Sequence, residues 1–168
     1  MDSESIIEMA RRRENVDDNQ PLEQPTAAEL LRQTRVVISP ETYFLVGLSF
    51  ADWTRILEQP ELSSTRQVPY MVLRDAHQVT LLIDEIDWRQ MRHAARDARV
   101  ENSFRLVTLD LELSWNTVGY LAHITAILAQ AGVTIGALSA FSRDHLLIKQ
   151  DELGTAMRAL SPHVAELC

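Results

Sequence analysis

The sequence predicts an α+β protein built from two halves that share one order of elements, preceded by a polar tail. Three observations lead there. From Phe104 to Glu166 the chain reads strand, polar loop, apolar helix, strand, turn, strand, helix. From Thr42 to Asp84 it reads strand, helix, strand, strand, so the same pattern occurs twice without residue identity. Residues up to about Pro25 are polar and charged, and a short helical run there (Ile6 to Arg13) buries too little apolar surface to hold itself in place. The division expected is a disordered or weakly helical tail over 1–26, a first half over 27–100 and a second over 101–168.

Each element has its own reason. Ala27 to Arg32 is a short helix with Thr26 as its cap. Val36 to Ile38 and Thr42 to Leu48 are strands on either side of Ser39-Pro40, and Asp52 to Glu58 is a short helix ending before Pro60. Glu61 to Gln67 is a polar loop. Pro69 to Arg74 and Val79 to Asp84 form a hairpin around Asp75-Ala-His-Gln78. Asp87 to Arg99 is a polar helix or linker. In the second half, Phe104 to Leu113 alternates apolar and polar residues as a half-buried strand does. Ser114-Trp-Asn-Thr117 leads into an apolar helix, Val118 to Ala131, stopped by Gly132. The β-branched run from Val133 opens a strand to Phe141, Arg143-Asp-His145 is a turn, Leu146 to Lys149 is a strand, and Asp151 caps a last helix.

Composition limits the function. The chain has 168 residues, 46% hydrophobic and 24% charged, enough for a substantial core. A net charge of −8 argues against a general nucleic-acid binder, whose footprint is basic. Arg11 to Arg13 is nearly neutralised by Glu8, Glu14, Asp17 and Asp18. A single cysteine, Cys168, excludes an intramolecular disulfide and fits a reducing compartment. No apolar run is long enough to span a bilayer, and the N-terminus lacks a signal-peptide core, so a soluble cytoplasmic protein is expected. There is no phosphate loop, dinucleotide fingerprint or nucleophile elbow, and no pair of histidines with metal-ligand spacing; neither a metal nor a cofactor is expected.

Few residues carry a chemical suggestion. Asp144-His145 is the most enzyme-like pair, although neighbours along a strand face opposite ways. His123 falls on the least apolar side of its helix, His77 sits in a hairpin turn, and His93 and His163 lie in polar helices. Asp110 and Glu112 alternate onto one strand face, where a polar outer surface is the simpler reading than a carboxylate pair. Trp53 is expected in the core and Trp88 as a lock between linker helix and sheet. Trp115 either walls a ligand pocket or packs.

Phe104-Arg-Leu-Val-Thr-Leu, Val118-Gly119 with Leu121-Ala122, Leu128-Ala129 through Gly132-Val133, Asp144-His145-Leu-Leu-Ile148 and Ala156 with Leu160 together resemble ACT domains. The likeness is to small tandem ACT-like proteins related to CASTOR-type amino-acid sensors; Leu30-Leu31, Ser39 to Tyr43 and Val79 to Leu81 fit the first half of such proteins. The resemblance implies two ferredoxin-like halves, each an antiparallel sheet with helices on one face. It also implies an amino acid or small carboxylic acid bound at the strand-to-helix loop Ser114, Trp115, Asn116, Thr117, Val118, Gly119, facing Ser139, Phe141 and Asp144. The start of the Val118 helix would receive the carboxylate, and Asp144 the ammonium group. The expected partner is an enzyme or regulatory protein on another chain, or a second copy in a homodimer. A different class stays open: a small cofactor-independent isomerase, cyclase or lyase using Asp144, His145 and Tyr120. So does a pure adaptor whose pocket Trp115 plugs.

Overall fold

The computed structural model describes residues 25–62 and 66–168. The tail to residue 24, with the expected Ile6 to Arg13 turns, lies outside them, as do residues 63–65 of the expected polar loop. The elements are α1 (Ala27–Gln33), β1 (Arg35–Ile38), β2 (Tyr43–Leu48), α2 (Phe50–Leu57), β3 (Met71–Arg74), β4 (Val79–Asp84), α3 (Glu85–Met91), β5 (Arg99–Asp110), α4 (Tyr120–Gln130), β6 (Ile135–Ser139), β7 (Asp144–Lys149), α5 (Leu153–Leu160) and β8 (Glu166–Leu167). Single 3₁₀ turns follow α2 and α3.

All eight strands join one sheet, and β5 organises it. On one edge of β5, β2 pairs with its first part (Gly47 opposite Arg99, Tyr43 opposite Phe104) and β1 with its last part (Ile38 opposite Val107, Arg35 opposite Asp110). Beyond β2 come β4 and β3; beyond β1 comes β8. On the other edge β7 pairs from Phe104 to Leu109, and β6 lies outside it. Each half therefore has antiparallel, ferredoxin-like strands, with β8 parallel to β1.

β5 begins five residues earlier than its apolar pattern suggests and ends at Asp110, not Leu113. Its polar opening, Arg99 to Ser103, has no sequence signature of a strand but is held by pairing with β2. Where β5 passes from one half to the other, Ser103 takes φ +62°, and the register of β2 slips between Tyr43 and Leu45. Such an irregularity bends a strand and increases its twist. The consequence is visible in the packing. Met71 and Leu82 of the β3–β4 hairpin share an apolar cluster with Leu138 and Leu147 of β6 and β7, although β2 and β5 separate them in the sheet. The sheet is folded back on itself across β5.

Alternation along the strands thus fills three cores. Val46, Leu48, Leu81 and Ile83 meet α2 and α3, with Trp88 buried and Trp53 packed against them as expected. Val107, Leu109, Leu146 and Ile148 meet the other helices through Ile124, Leu128, Ala156 and Leu160, which recur at helical spacing. Tyr43, Leu82, Leu106 and Leu147 lie on the opposite strand faces, between the halves. Leu31 of α1 and Val36 of β1 belong to the core of the second half, not of the first to which their sequence position points.

Local chemistry explains most boundaries. Thr26 and Glu29 form a capping box on α1, and Ser49 Oγ accepts the Asp52 amide at 3.1 Å to cap α2. Asp75 Oδ1 accepts the amides of His77 and Gln78 in the hairpin. Asp84 caps α3, which starts at Glu85 rather than Asp87. Gly119 (φ +83°) and Gly132 (φ +72°) bracket α4 in conformations that favour glycine. Asp151 does not cap α5: the helix starts at Leu153 without a side-chain cap, and Glu152 instead turns back to accept the Thr134 amide at 3.1 Å. Asp144 and His145 lie inside β7; the turn is Ala140 to Arg143, closed by the Ala140 amide on the Arg143 carbonyl at 2.9 Å.

Candidate functional site

Between β5 and α4 run nine residues, 111–119, longer than any turn requires. The loop is anchored by the Leu113 amide on the Ser142 carbonyl (3.1 Å) and by the Thr117 amide on the Ser114 carbonyl (2.9 Å). It therefore stands against the β6–β7 turn, and a cavity of about 280 Å³ lies between them. Ser114, Trp115, Thr117 and Gly119 line one side, and Ser139, Phe141 and Asp144 the other. Tyr120, Leu121 and Ala122 of the first turn of α4 form its end. Asn116 and Val118 do not line this cavity. Asn116 faces a neighbouring groove beside Pro25 and Leu30, and Val118 points to solvent at 87% exposure.

Polar groups of both signs meet in this space. Asp144 Oδ1 accepts the Ser139 hydroxyl at 2.5 Å, and its other oxygen has no hydrogen-bond partner among the described residues. Arg143, absent from the sequence expectation, supplies a guanidinium that is fixed by Nε on Asp110 (2.7 Å) and Nη1 on Ser142 Oγ (3.1 Å). Asp110 is thus spoken for by Arg143 and forms no pair with Glu112, which is exposed past the strand end. α4 starts with Gly119 and no side-chain cap, so its first-turn amides are open to an anionic group. A Cβ built on Gly119 meets nothing within 4 Å; the glycine is demanded by its φ of +83°, not by crowding.

Trp115 is neither floor nor plug. It is 87% exposed and, with Phe141 at 97%, forms an apolar rim around the mouth. Tyr120 is buried, and its hydroxyl lies 2.7 Å from Thr34 Oγ1. Thr34 gives its own proton to the Leu30 carbonyl at 2.9 Å, so Tyr120 is the donor of the pair and holds α1 to α4. Burial also raises its pKa, with Thr34 opposing. Its proton is structural and unavailable to a substrate.

Asp144 and His145 do not work together. His145 faces the other side of β7, where Nδ1 lies 3.0 Å from Thr108 Oγ1 and the ring lines a separate cleft. Burial lowers its pKa, with Asp144 raising and Arg143 lowering it. Of the acid–base set, Asp144 and Tyr120 border the same cavity, with the Tyr120 hydroxyl committed to Thr34, while His145 lies on the other face of β7. His123 is half-buried rather than free on the surface. Among the described residues no group of three or more His, Cys, Asp or Glu is arranged to hold a metal ion. Nor is any described helix long and apolar enough to cross a membrane.

Residues 99–162 match the ACT domain family. No curated protein matches the sequence. Solved structures similar in fold cover about four fifths of the chain and so reach beyond the matched residues into its first half. An Agobacterium tumefaciens protein from a structural genomics programme aligns with a TM-score of 0.62 at 17% identity, covering 81% of this chain and 92% of its own. The ligand-free regulatory subunit of aspartate kinase from Thermus thermophilus aligns at 0.60 and 13% identity, over 79% and 97% of the two chains. A Vibrio cholerae protein of unknown function, a possible transport protein, aligns at 0.58 and 21%, over 80% and 93%.

Proposed function

We propose that this chain is an ACT-type regulatory protein that binds an amino acid in the 280 Å³ cavity and acts on another chain. The observation that carries the reading is the meeting of Arg143, Asp144 and the uncapped start of α4 around one cavity. A free α-amino acid has one charge of each sign. Its carboxylate suits Arg143 and the first-turn amides of α4, and its ammonium group suits the unpartnered oxygen of Asp144. Its side chain would then extend toward Trp115 and Phe141, whose exposed rings lie at the mouth. Occupancy would fix the 111–119 loop and change the apolar rim offered to a partner enzyme, a regulatory protein or a second copy of the chain. The resemblance to CASTOR-type sensors and the likeness to a regulatory subunit of aspartate kinase support the same role. The exposed apolar rim and the negative net charge support a protein partner rather than nucleic acid.

The test is a thermal-shift screen of the twenty amino acids and related small acids. A ligand at a hundred times its dissociation constant stabilises by about 2.7 kcal/mol, several degrees in melting temperature for a protein of this size. At least one amino acid should produce such a shift, and Asp144→Asn should remove it. A screen silent across the panel would contradict the reading.

A further inference from the structure

A second cavity, of about 300 Å³, opens where the folded sheet closes on itself, on the face of β7 away from the first site. The first half contributes Tyr70, Met71 and Leu82; the second contributes Leu106, Leu138 and His145. The space is too small for a peptide and falls at the lower end of the range for small-molecule sites. Its walls differ in kind from those of the amino-acid site: among the described residues lining it, none is Asp, Glu, Lys or Arg. An ion entering it would be desolvated without a counter-charge, which is costly. Asp87, close enough to push up the Tyr70 pKa beyond what burial does, further disfavours an anion.

Two polar groups remain to be met. The Tyr70 hydroxyl makes no hydrogen bond to any described residue. His145 has Nδ1 engaged with Thr108, so Nε2 is the polar atom its ring has left to offer. Burial favours the neutral ring, which presents either one N–H or one lone pair at that nitrogen. The apolar bulk of Met71, Leu82, Leu106 and Leu138 surrounds these two groups.

We infer that this cleft between the halves is a second small-molecule site, selective for an uncharged aromatic compound carrying a single hydrogen-bonding head, of the phenol or indole type. The apolar walls take the ring, and His145 or Tyr70 takes the head. The cleft opens on the opposite face of β7 from the amino-acid site, and among the described residues only Ser139 and Ala140 border both.

The experiment is titration of the full chain, its methionine methyl groups labelled with ¹³C, with 4-methylphenol and separately with indole. Saturable shifts of the Met71 methyl and of the His145 ring protons are expected for at least one probe. Met71→Trp and Leu138→Trp, each filling the cleft from a different half, should weaken that binding at least tenfold while the remaining methionine methyls keep their native shifts. Two fillers are used so that one that fails to fold leaves the other to decide. L-Tyrosine, which has the same ring as 4-methylphenol but is zwitterionic, should not move the Met71 methyl. The inference is overturned if neither probe gives a saturable shift, if both folded fillers bind as the wild type does, or if L-tyrosine binds the cleft as well as 4-methylphenol. Failure here leaves the amino-acid site standing, because its charged groups, Arg143 and Asp144, line only the other cavity.

Discussion

The two halves begin alike, with a strand leading to a helix, and differ in how that helix starts. In the first half only Ser49 separates β2 from α2. Its hydroxyl caps the helix, and Asp52 within the first turn is fully buried, accepting from Arg55 (2.6 Å) and from the amides of Arg96 (3.2 Å) and Asp97 (3.1 Å). In the second half nine residues intervene, the cap position is a glycine without a side chain, and the loop stands off to leave a cavity. One helix start is closed by its own sequence; the other is left open. The comparison teaches that the candidate site lies where self-capping has been given up.

The largest expected effect breaks the closed start. Asp52→Ala removes the acceptor of an ion pair and of two backbone amides and should lower stability by about 3 kcal/mol, read by urea denaturation. The same carboxylate gives a pH signature. Burial raises its pKa, but hydrogen bonds from Arg55, Asp97, Arg96 and Ser49 outweigh that and leave it below the ordinary 3.8. A depressed folded-state pKa means a contribution fully present above about pH 4 and lost as pH falls through the folded value. The acid limb of the stability curve should flatten in Asp52→Asn.

A comparable loss, about 3 kcal/mol, is expected for Leu31→Ala, because α1 fills the core of the second half. The change should uncouple α1 from α4 and so disturb the open helix start rather than the closed one. Smaller is Ser49→Ala, about 1 kcal/mol from the lost cap, with ligand binding unchanged. Smallest in stability is Asp144→Asn, a half-buried residue whose main effect should fall on binding. His145 adds a mild trend: its depressed pKa means stability declines as pH drops below about 6.5, and His145→Gln should reduce that slope.

Much of this was legible in sequence because it is local. Thr26 as a cap, Gly132 as a stop, the Asp75 turn and the alternation of β5 from Phe104 depend on neighbours a few residues away. The loop 114–119 and its facing residues Ser139, Phe141 and Asp144 were brought together by the ACT resemblance rather than by spacing. What was hidden depends on distance along the chain. α1 and β1 insert beside β5 some seventy residues later, and nothing in Leu31 or Val36 says which core they fill. The opening of β5 is polar and reads as a linker, yet pairing with β2 makes it strand. Arg143 reads as a turn residue; only the fold shows that Asp110 and Ser142 turn its guanidinium into a wall of the cavity. Asp52 reads only as the start of a short helix, and its role appears only when residues 96 and 97 return to it.

The most direct measurement is isothermal titration of the wild type, Ser49→Ala and Asp144→Asn with the amino acid that gives the largest thermal shift. The account predicts one site per chain, unchanged affinity in Ser49→Ala and at least a tenfold loss in Asp144→Asn. Equal affinity in all three proteins would place the ligand elsewhere and contradict the claim that the open start of α4 is the binding site.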